Sequence, residues 1–141
     1  MHENTVRAKT VLSDSKHTCV LCKDSRILYS DERGVLPLLK WIQEGTDVTG
    51  FHAADRVVGK AAAFLYVKLK VAEVYAPVMS KAGADTLMQY GIRAFYDTQT
   101  VEIRNRDNTD ICPMDKAVKD AKAPQEAFEK IREQVLKMRL G

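Results

Sequence analysis

Few side chains in this sequence have both the type and the setting for chemistry. Asp55, in Ala53-Ala54-Asp55-Arg56, stands where a long helix is expected to open. A carboxylate there can serve as a general base or accept a ligand's hydrogen. The plainer reading is a helix-start acid, stabilised by the helix dipole at about 0.3–1 kcal/mol. Lys60 stands alone in Val57-Val58-Gly59-Lys60-Ala61-Ala62-Ala63, so a desolvated amine could act as a nucleophile or an anion anchor. Against that, Arg56, Lys60 and Lys68 fall on one stripe of a helix over 55–69, as on a solvated edge. Gly59-Lys60 is not a phosphate loop, because Ala54 and Ala61 occupy that motif's other positions and the pair falls within the expected helix. Cys112 precedes Pro113 in a loop near a helix start, where a thiol can have a lowered pKa; a buried residue closing the loop is the alternative. Asp55, Lys60 and Cys112 are therefore the candidate catalytic residues.

The candidate ligand contacts are His52, Ser80, Arg104, Asn105 and Arg106. His52 is an acid, base or recognition group, or simply an exposed loop imidazole. Ser80 is expected to cap a helix whose N-terminus can face an anion. Arg104-Asn105-Arg106 follows an expected strand and could clamp a phosphate or carboxylate, or pair with Asp107 and Asp110 in a solvated loop. Cys19 and Cys22 have metal-knuckle spacing. On a strand, however, residues three apart face opposite ways, so the thiols diverge into the core.

These groups sit in an ordinary chain of 141 residues, 45% hydrophobic and 29% charged, with 22 basic and 19 acidic residues. That composition fits one folded domain over residues 1–141 and excludes wholesale disorder. No basic-aromatic stripe marks a nucleic-acid groove. The polar start and the absence of a long apolar run lead to the expectation of a cytoplasmic protein without membrane segments.

The positioning elements follow from periodicity. Residues 1–16 are a polar tip or a short helix over Val6–Ser13. A hairpin runs from His17 to Asp31, turning at Lys23-Asp24-Ser25-Arg26, with Val20 and Cys22 on one face and Cys19 and Leu21 on the other. Helices are expected over Val35–Glu44, stopped by Gly45, over Asp55–Leu69, and over Ser80–Tyr90. Strands are expected over Val71–Ala76, Ile92–Tyr96 and Val101–Arg104, with Ala76-Pro77-Val78-Met79-Ser80 as a turn. Residues 124–141 form a closing amphipathic helix, with Pro124 at its start. Strands separated by helices favour parallel pairing, and the hairpin adds an antiparallel edge. The expected fold is α/β, a three-layer mixed β-sheet with helices on both faces.

Ala53-Ala54-Asp55-Arg56-Val57-Val58-Gly59-Lys60-Ala61-Ala62-Ala63, Tyr75-Ala76-Pro77-Val78-Met79-Ser80, Arg104-Asn105-Arg106 and Cys112-Pro113-Met114 carry a resemblance. From about Thr18 to Met114 the chain resembles a bacterial family of zinc-less proteins of unknown function with a cytidine-deaminase-like fold. In deaminases of that fold, the first helix opens with a Cys or His, one residue, then a Glu. The second opens with Pro-Cys-x-x-Cys, and the three ligands hold zinc while the Glu shuttles protons for a zinc-bound water. Mapped onto this chain, those positions hold Ala53, Asp55, Val78 and Lys81. The resemblance thus implies no metal and no cofactor. The leading expectation is a protein that binds a small anionic or nucleotide-like ligand without deaminase activity. The alternatives are a metal-independent enzyme using Cys112 or Asp55, and a non-catalytic homo-oligomeric regulatory module.

Overall fold

The computed structural model describes residues 1–105 and 107–140. Helix α1 (Glu3–Ser13) opens on His2, whose Nδ1 accepts from the Asn4 N–H, and it buries Thr5, Ala8 and Leu12. Strands β1 (Cys19–Lys23) and β2 (Arg26–Ser30) form the expected hairpin, with Asp24 in the turn at φ 53°. Helix α2 (Leu36–Glu44) tolerates Pro37 in its first turn and ends on Gly45 at φ 70°, a left-handed cap that glycine adopts without strain.

Strand β3 (His52–Asp55), strand β4 (Val57–Val58) and helix α3 (Lys60–Leu69) come next. Strand β5 (Glu73–Ser80) leads directly into helix α4 (Lys81–Gln89), and β6 (Arg93–Thr100) follows. The short α5 (Pro113–Ala117) and the closing α6 (Pro124–Leu140) complete the chain.

The hairpin makes an antiparallel edge, since β1 pairs antiparallel with both β2 and β3. Strands β3 and β4 run parallel to one side of β5, and β6 runs parallel to the other. Helix α1 covers one face with Ala8 and Leu12 against Val20, Cys22, Ala54 and Tyr75. The larger core lies on the other face, where Leu21, Ala53, Val74 and Ala76 meet Ala61, Phe64, Leu65 and Leu87 of α3 and α4, with Ile131 of α6. The three-layer mixed α/β sheet with helices on both faces is thus the observed architecture. Among the described residues, no helix is long and apolar enough to cross a membrane.

Three local expectations are corrected. The helix expected from Asp55 starts at Lys60, and Asp55 belongs to β3. The β-branched pair Val57-Val58 stays extended, and Gly59 caps the helix in an extended conformation (φ −106°). Lys60 is therefore the first helical residue rather than a mid-helix one, and Arg56 shares no helical stripe with it. The expected turn Ala76–Ser80 is the second half of β5. Pro77 interrupts the ladders without ending the strand. Register runs Ala54↔Tyr75 and then Val57↔Val78 on one side, Ala76↔Tyr96 and then Val78↔Thr98 on the other. The skipped position on both sides is Pro77, which has no N–H to give. Finally, the single strand Arg93–Thr100 replaces two short ones, and Val101–Arg104 keeps only one isolated bridge, Arg104↔Ile111.

Candidate functional site

The side chains of β1 and β3 that face α3 enclose Asp55. Its Oδ2 accepts from the Tyr66 hydroxyl at 2.7 Å, and Tyr66 Oη lies 3.1 Å from Cys19 Sγ. Asp55 is 7% exposed, Cys19 1% and Tyr66 not at all, so this is a polar chain inside the core. Burial pushes the Asp55 carboxyl up to about 7, although the Tyr66 hydrogen bond, the backbone N–H groups of Arg56 and Val57 and the Arg56 charge pull the other way. Burial also raises Cys19 and Tyr66, and the charge of Asp55 adds to both. Tyr66 has no motif around it. Its only sequence signal is a polar hydroxyl within an apolar helix.

Arg56, on the opposite face, is a clamp. Its guanidinium donates to the carbonyls of Leu12 and Ser15 at 2.8 and 2.9 Å and to that of His17 at 3.1 and 2.8 Å. It thereby ties the last turn of α1 to the segment that leads into β1.

The two helix openings lie beyond the strands, at Gly59-Lys60 and Ser80-Lys81. Gly83 lets the two openings approach closely: a Cβ there would come to 3.0 Å of Val58 O and 3.1 Å of the Gly59 carbonyl, tighter than ordinary contact. Ser80 caps α4 as expected, accepting from the Gly83 N–H at 3.0 Å. The opening of α3 is capped from a distance: Asp115 Oδ1 accepts from the Ala61 N–H at 2.9 Å. That carboxylate fills the place where a Gly59 Cβ would stand, 2.0 Å from Oδ2. Burial raises the Asp115 carboxyl, against the pull of the Ala61 N–H and of Lys60. Cys112 precedes α5 and is partly buried. Burial pushes its thiol up and Asp115 adds to the rise, outweighing the N–H groups of Asp115 and Met114.

The remaining candidates are dispersed. His52 is a buried strand residue, not a loop imidazole. Its Nδ1 lies 2.8 Å from Thr5 Oγ1, and its ring stacks on His2 with centroids 4.2 Å apart. Burial, then the neighbouring His2, lowers its pKa. Arg104 bonds to Glu102 at 2.7 Å and to Asn108, and Asn105 holds its own turn through Thr109. Arg106 lies outside the described residues. The structure therefore does not gather Asp55, Lys60, Cys112, His52 and Arg104 into one site. Among the described residues, no group of three or more His, Cys, Asp or Glu side chains is placed to hold a metal ion.

One candidate does face a cleft. Lys60 and Phe64 of α3, Ala82, Asp85, Thr86 and Gln89 of α4, and Ala121 and Lys122 before α6 line an open cavity of about 440 Å³. The Lys60 ammonium donates to Lys119 O at 2.8 Å and lies 5.8 Å from the Phe64 ring centre. Asp85 is held by Lys81 at 2.8 Å. Tyr90 packs edge-on against Phe64 and donates to Lys122 O at 3.2 Å, fixing the connection to α6 against the helices. The only sequence signal for this wall is the i, i+3/i+4 stripe of Ala82, Asp85, Thr86 and Gln89, polar at its last three positions.

Sheet order, layers and the helix openings at the strand ends define an α/β protein of mixed-sheet, three-layer type. Within that class the chain belongs to the family TM1506, a domain of unknown function (DUF1893), which matches residues 7–135. It is similar to the crystal structure of the DUF1893 family protein TM1506 from Thermotoga maritima. The TM-score is 0.85, with 24% identity over 95% of this chain and 92% of that one. A weaker likeness is to the apo dCMP deaminase of the cyanophage S-TIM5, with TM-score 0.45 and 16% identity over 66% of this chain and 93% of that one. At that level of likeness nothing about chemistry follows. No curated protein matches the chain.

Proposed function

We propose that this protein binds a small anionic ligand, of the size of a nucleoside monophosphate, in the cleft between α3, α4 and the α5–α6 connection. The observation that carries the reading is the pairing of Lys60 and Lys122 on one cavity of about 440 Å³, a volume typical of small-molecule sites. The cleft's one carboxylate, Asp85, is engaged by Lys81, and the Asp115 carboxylate near Lys60 is spent on the α3 cap. Positive charge on the cleft wall is therefore in excess. Thr86 and Gln89 offer neutral hydrogen bonds, and Phe64 offers an apolar floor. Of the expected ligand contacts, Ser80 serves here by shaping the α4 opening rather than by touching the ligand.

The enzyme alternative finds less support. A thiol whose pKa is raised is a poor nucleophile at neutral pH, and Asp55 is enclosed by the core. Thermal unfolding with inorganic phosphate, nucleoside monophosphates and short dicarboxylates tests the reading. A ligand at about 100 times its Kd adds about 2.7 kcal/mol, which in a chain of this size raises Tm by about 5–10 °C. Lys60→Ala/Lys122→Ala should abolish the rise. No rise with any probe, or an undiminished rise in the double variant, overturns the proposal.

A further inference from the structure

We propose that a second copy of this chain docks on the outer edge of β6, the two β6 strands pairing antiparallel about a two-fold axis through Phe95. Among the described residues, β6 has β5 as its only strand neighbour. Its other edge offers the outward-pointing N–H and C=O groups of alternate residues along an eight-residue strand. Exposed edges of this length are normally guarded by Pro, by charged side chains, Lys above all, by a bulge or by a covering segment, and the charges on this one, Arg93 and Asp97, are of opposite sign. Arg93-Ala94-Phe95-Tyr96-Asp97-Thr98-Gln99-Thr100 contains neither Pro nor Lys, and its ladder to β5 is broken only by Pro77 of the partner strand. The opposite edge differs: β2 is shorter, and Arg7 donates to the carbonyls of Asp24 and Arg26 there.

The strand's own sequence selects its partner and its register. An axis perpendicular to the sheet keeps faces matched and places one residue opposite itself. With Phe95 at the axis, Arg93 faces Asp97 of the other copy, and the reverse pair forms symmetrically on the far side. Both charges lie on the face of Phe95, because odd-numbered residues of β6 share the α1 side, where Phe95 packs and Asp97 accepts from Tyr75. On the helix side, Ala94 faces Tyr96, a small residue under a ring that is 41% exposed in the single chain. The neighbouring registers fail: an axis at Tyr96 puts Asp97 against Phe95, and an axis at Asp97 puts two carboxylates together. Arg93 uses Nε for Glu73 at 2.8 Å and keeps its other N–H donors. Asp97 gives Oδ2 to Tyr75 and keeps Oδ1. Each dimer makes two such cross-strand charge pairs.

Light scattering and crosslinking test this on the full chain. The expected mass is twice the 15.9 kDa of the chain, with concentration-dependent dissociation. Asp97→Arg sets like charges against each other and should weaken dimerisation by about tenfold or more. Under mild oxidation Phe95→Cys should crosslink to its own copy, while Gln99→Cys, facing Gly91, should not. A monomer at every concentration overturns the proposal whatever the variants do. So does a dimer that Asp97→Arg leaves intact, or crosslinking at 99 that equals that at 95.

Discussion

Asp55 makes the stability of this protein depend on pH in a direction opposite to that of most aspartates. Its carboxyl sits at about 7 when folded, against an ordinary 3.8. The folded state therefore binds the proton more tightly than the unfolded chain. The stabilisation from this is fully present below about pH 4 and is lost as pH rises through about 7. At 1.36 kcal/mol per pKa unit the span is about 4 kcal/mol, an upper figure for one buried group. Asp55→Asn removes the titration. The amide nitrogen would face donors such as the Arg56 and Val57 N–H groups, which costs a roughly pH-independent ~1–3 kcal/mol. The informative quantity is thus the change with pH of the difference between wild type and variant. Taking the difference also cancels other titrations in the same range, such as that of His52. Urea unfolding at several pH values between 4 and 8 should show Asp55→Asn gaining on the wild type by up to about 4 kcal/mol, most steeply between pH 5 and 7, and levelling above. A difference that is flat across this range would refute the claim that Asp55 is enclosed as a largely neutral acid.

Three further outcomes follow from the contacts. Asp115→Ala should destabilise by about 1 kcal/mol through loss of the remote α3 cap. Gly59→Ala should cost at least as much, because its Cβ displaces the same carboxylate; the double variant should cost clearly less than the sum, and additivity in denaturant titrations would contradict the contact. Arg56→Ala should destabilise by about 2–3 kcal/mol, and Arg56→Lys by less, since the Leu12, Ser15 and His17 carbonyls all converge within 2.9 Å of the single nitrogen Nη2, where an ammonium has three donors to offer. A near-neutral Ala variant in denaturant titrations would count against the clamp. At pH 7, Cys112 should react with iodoacetamide more slowly than an unstructured cysteine peptide, and a rate above that of the peptide would reopen the nucleophile reading.

The architecture was legible because its signals are local and mutually consistent. The hairpin announced itself by alternation, α2 by Pro37 and Gly45, and α4 by Ser80. What misled was residue chemistry that has two structural solutions. Pro77 in a run of apolar residues reads as a turn, yet here it is a central-strand residue whose missing N–H falls at the one register position that neither neighbour bridges. Val57-Val58-Gly59 before an Ala-rich stretch reads as helix interior, yet the β-branched pair and the glycine together are the signature of a strand ending on a helix cap. That five-residue shift moved the expected motif from a helix opening into β3, and with it Asp55 from a pocket mouth into the core.

The site was less legible than the fold, and the reason is sequence distance. The carboxylate capping α3 comes from Asp115, 54 residues beyond the Ala61 N–H that it serves. The hydroxyl that meets Asp55 comes from Tyr66, and the Lys122 wall of the cleft comes from the approach to α6. No local spacing encodes such pairs. Yet two sequence features do converge on the result. Gly59 is needed because a carboxylate stands where its Cβ would be, and a Cβ at Gly83 would crowd the backbone of Val58-Gly59 at 3.0–3.1 Å. Those two glycines let the α3 and α4 openings approach each other while an internal acid takes the first. The chain thus answers the positive end of α3 with its own carboxylate. That leaves the excess cationic charge to its flank, at Lys60 and Lys122, and this is the physical reason for seeking an anion in the side cleft rather than on the helix axis.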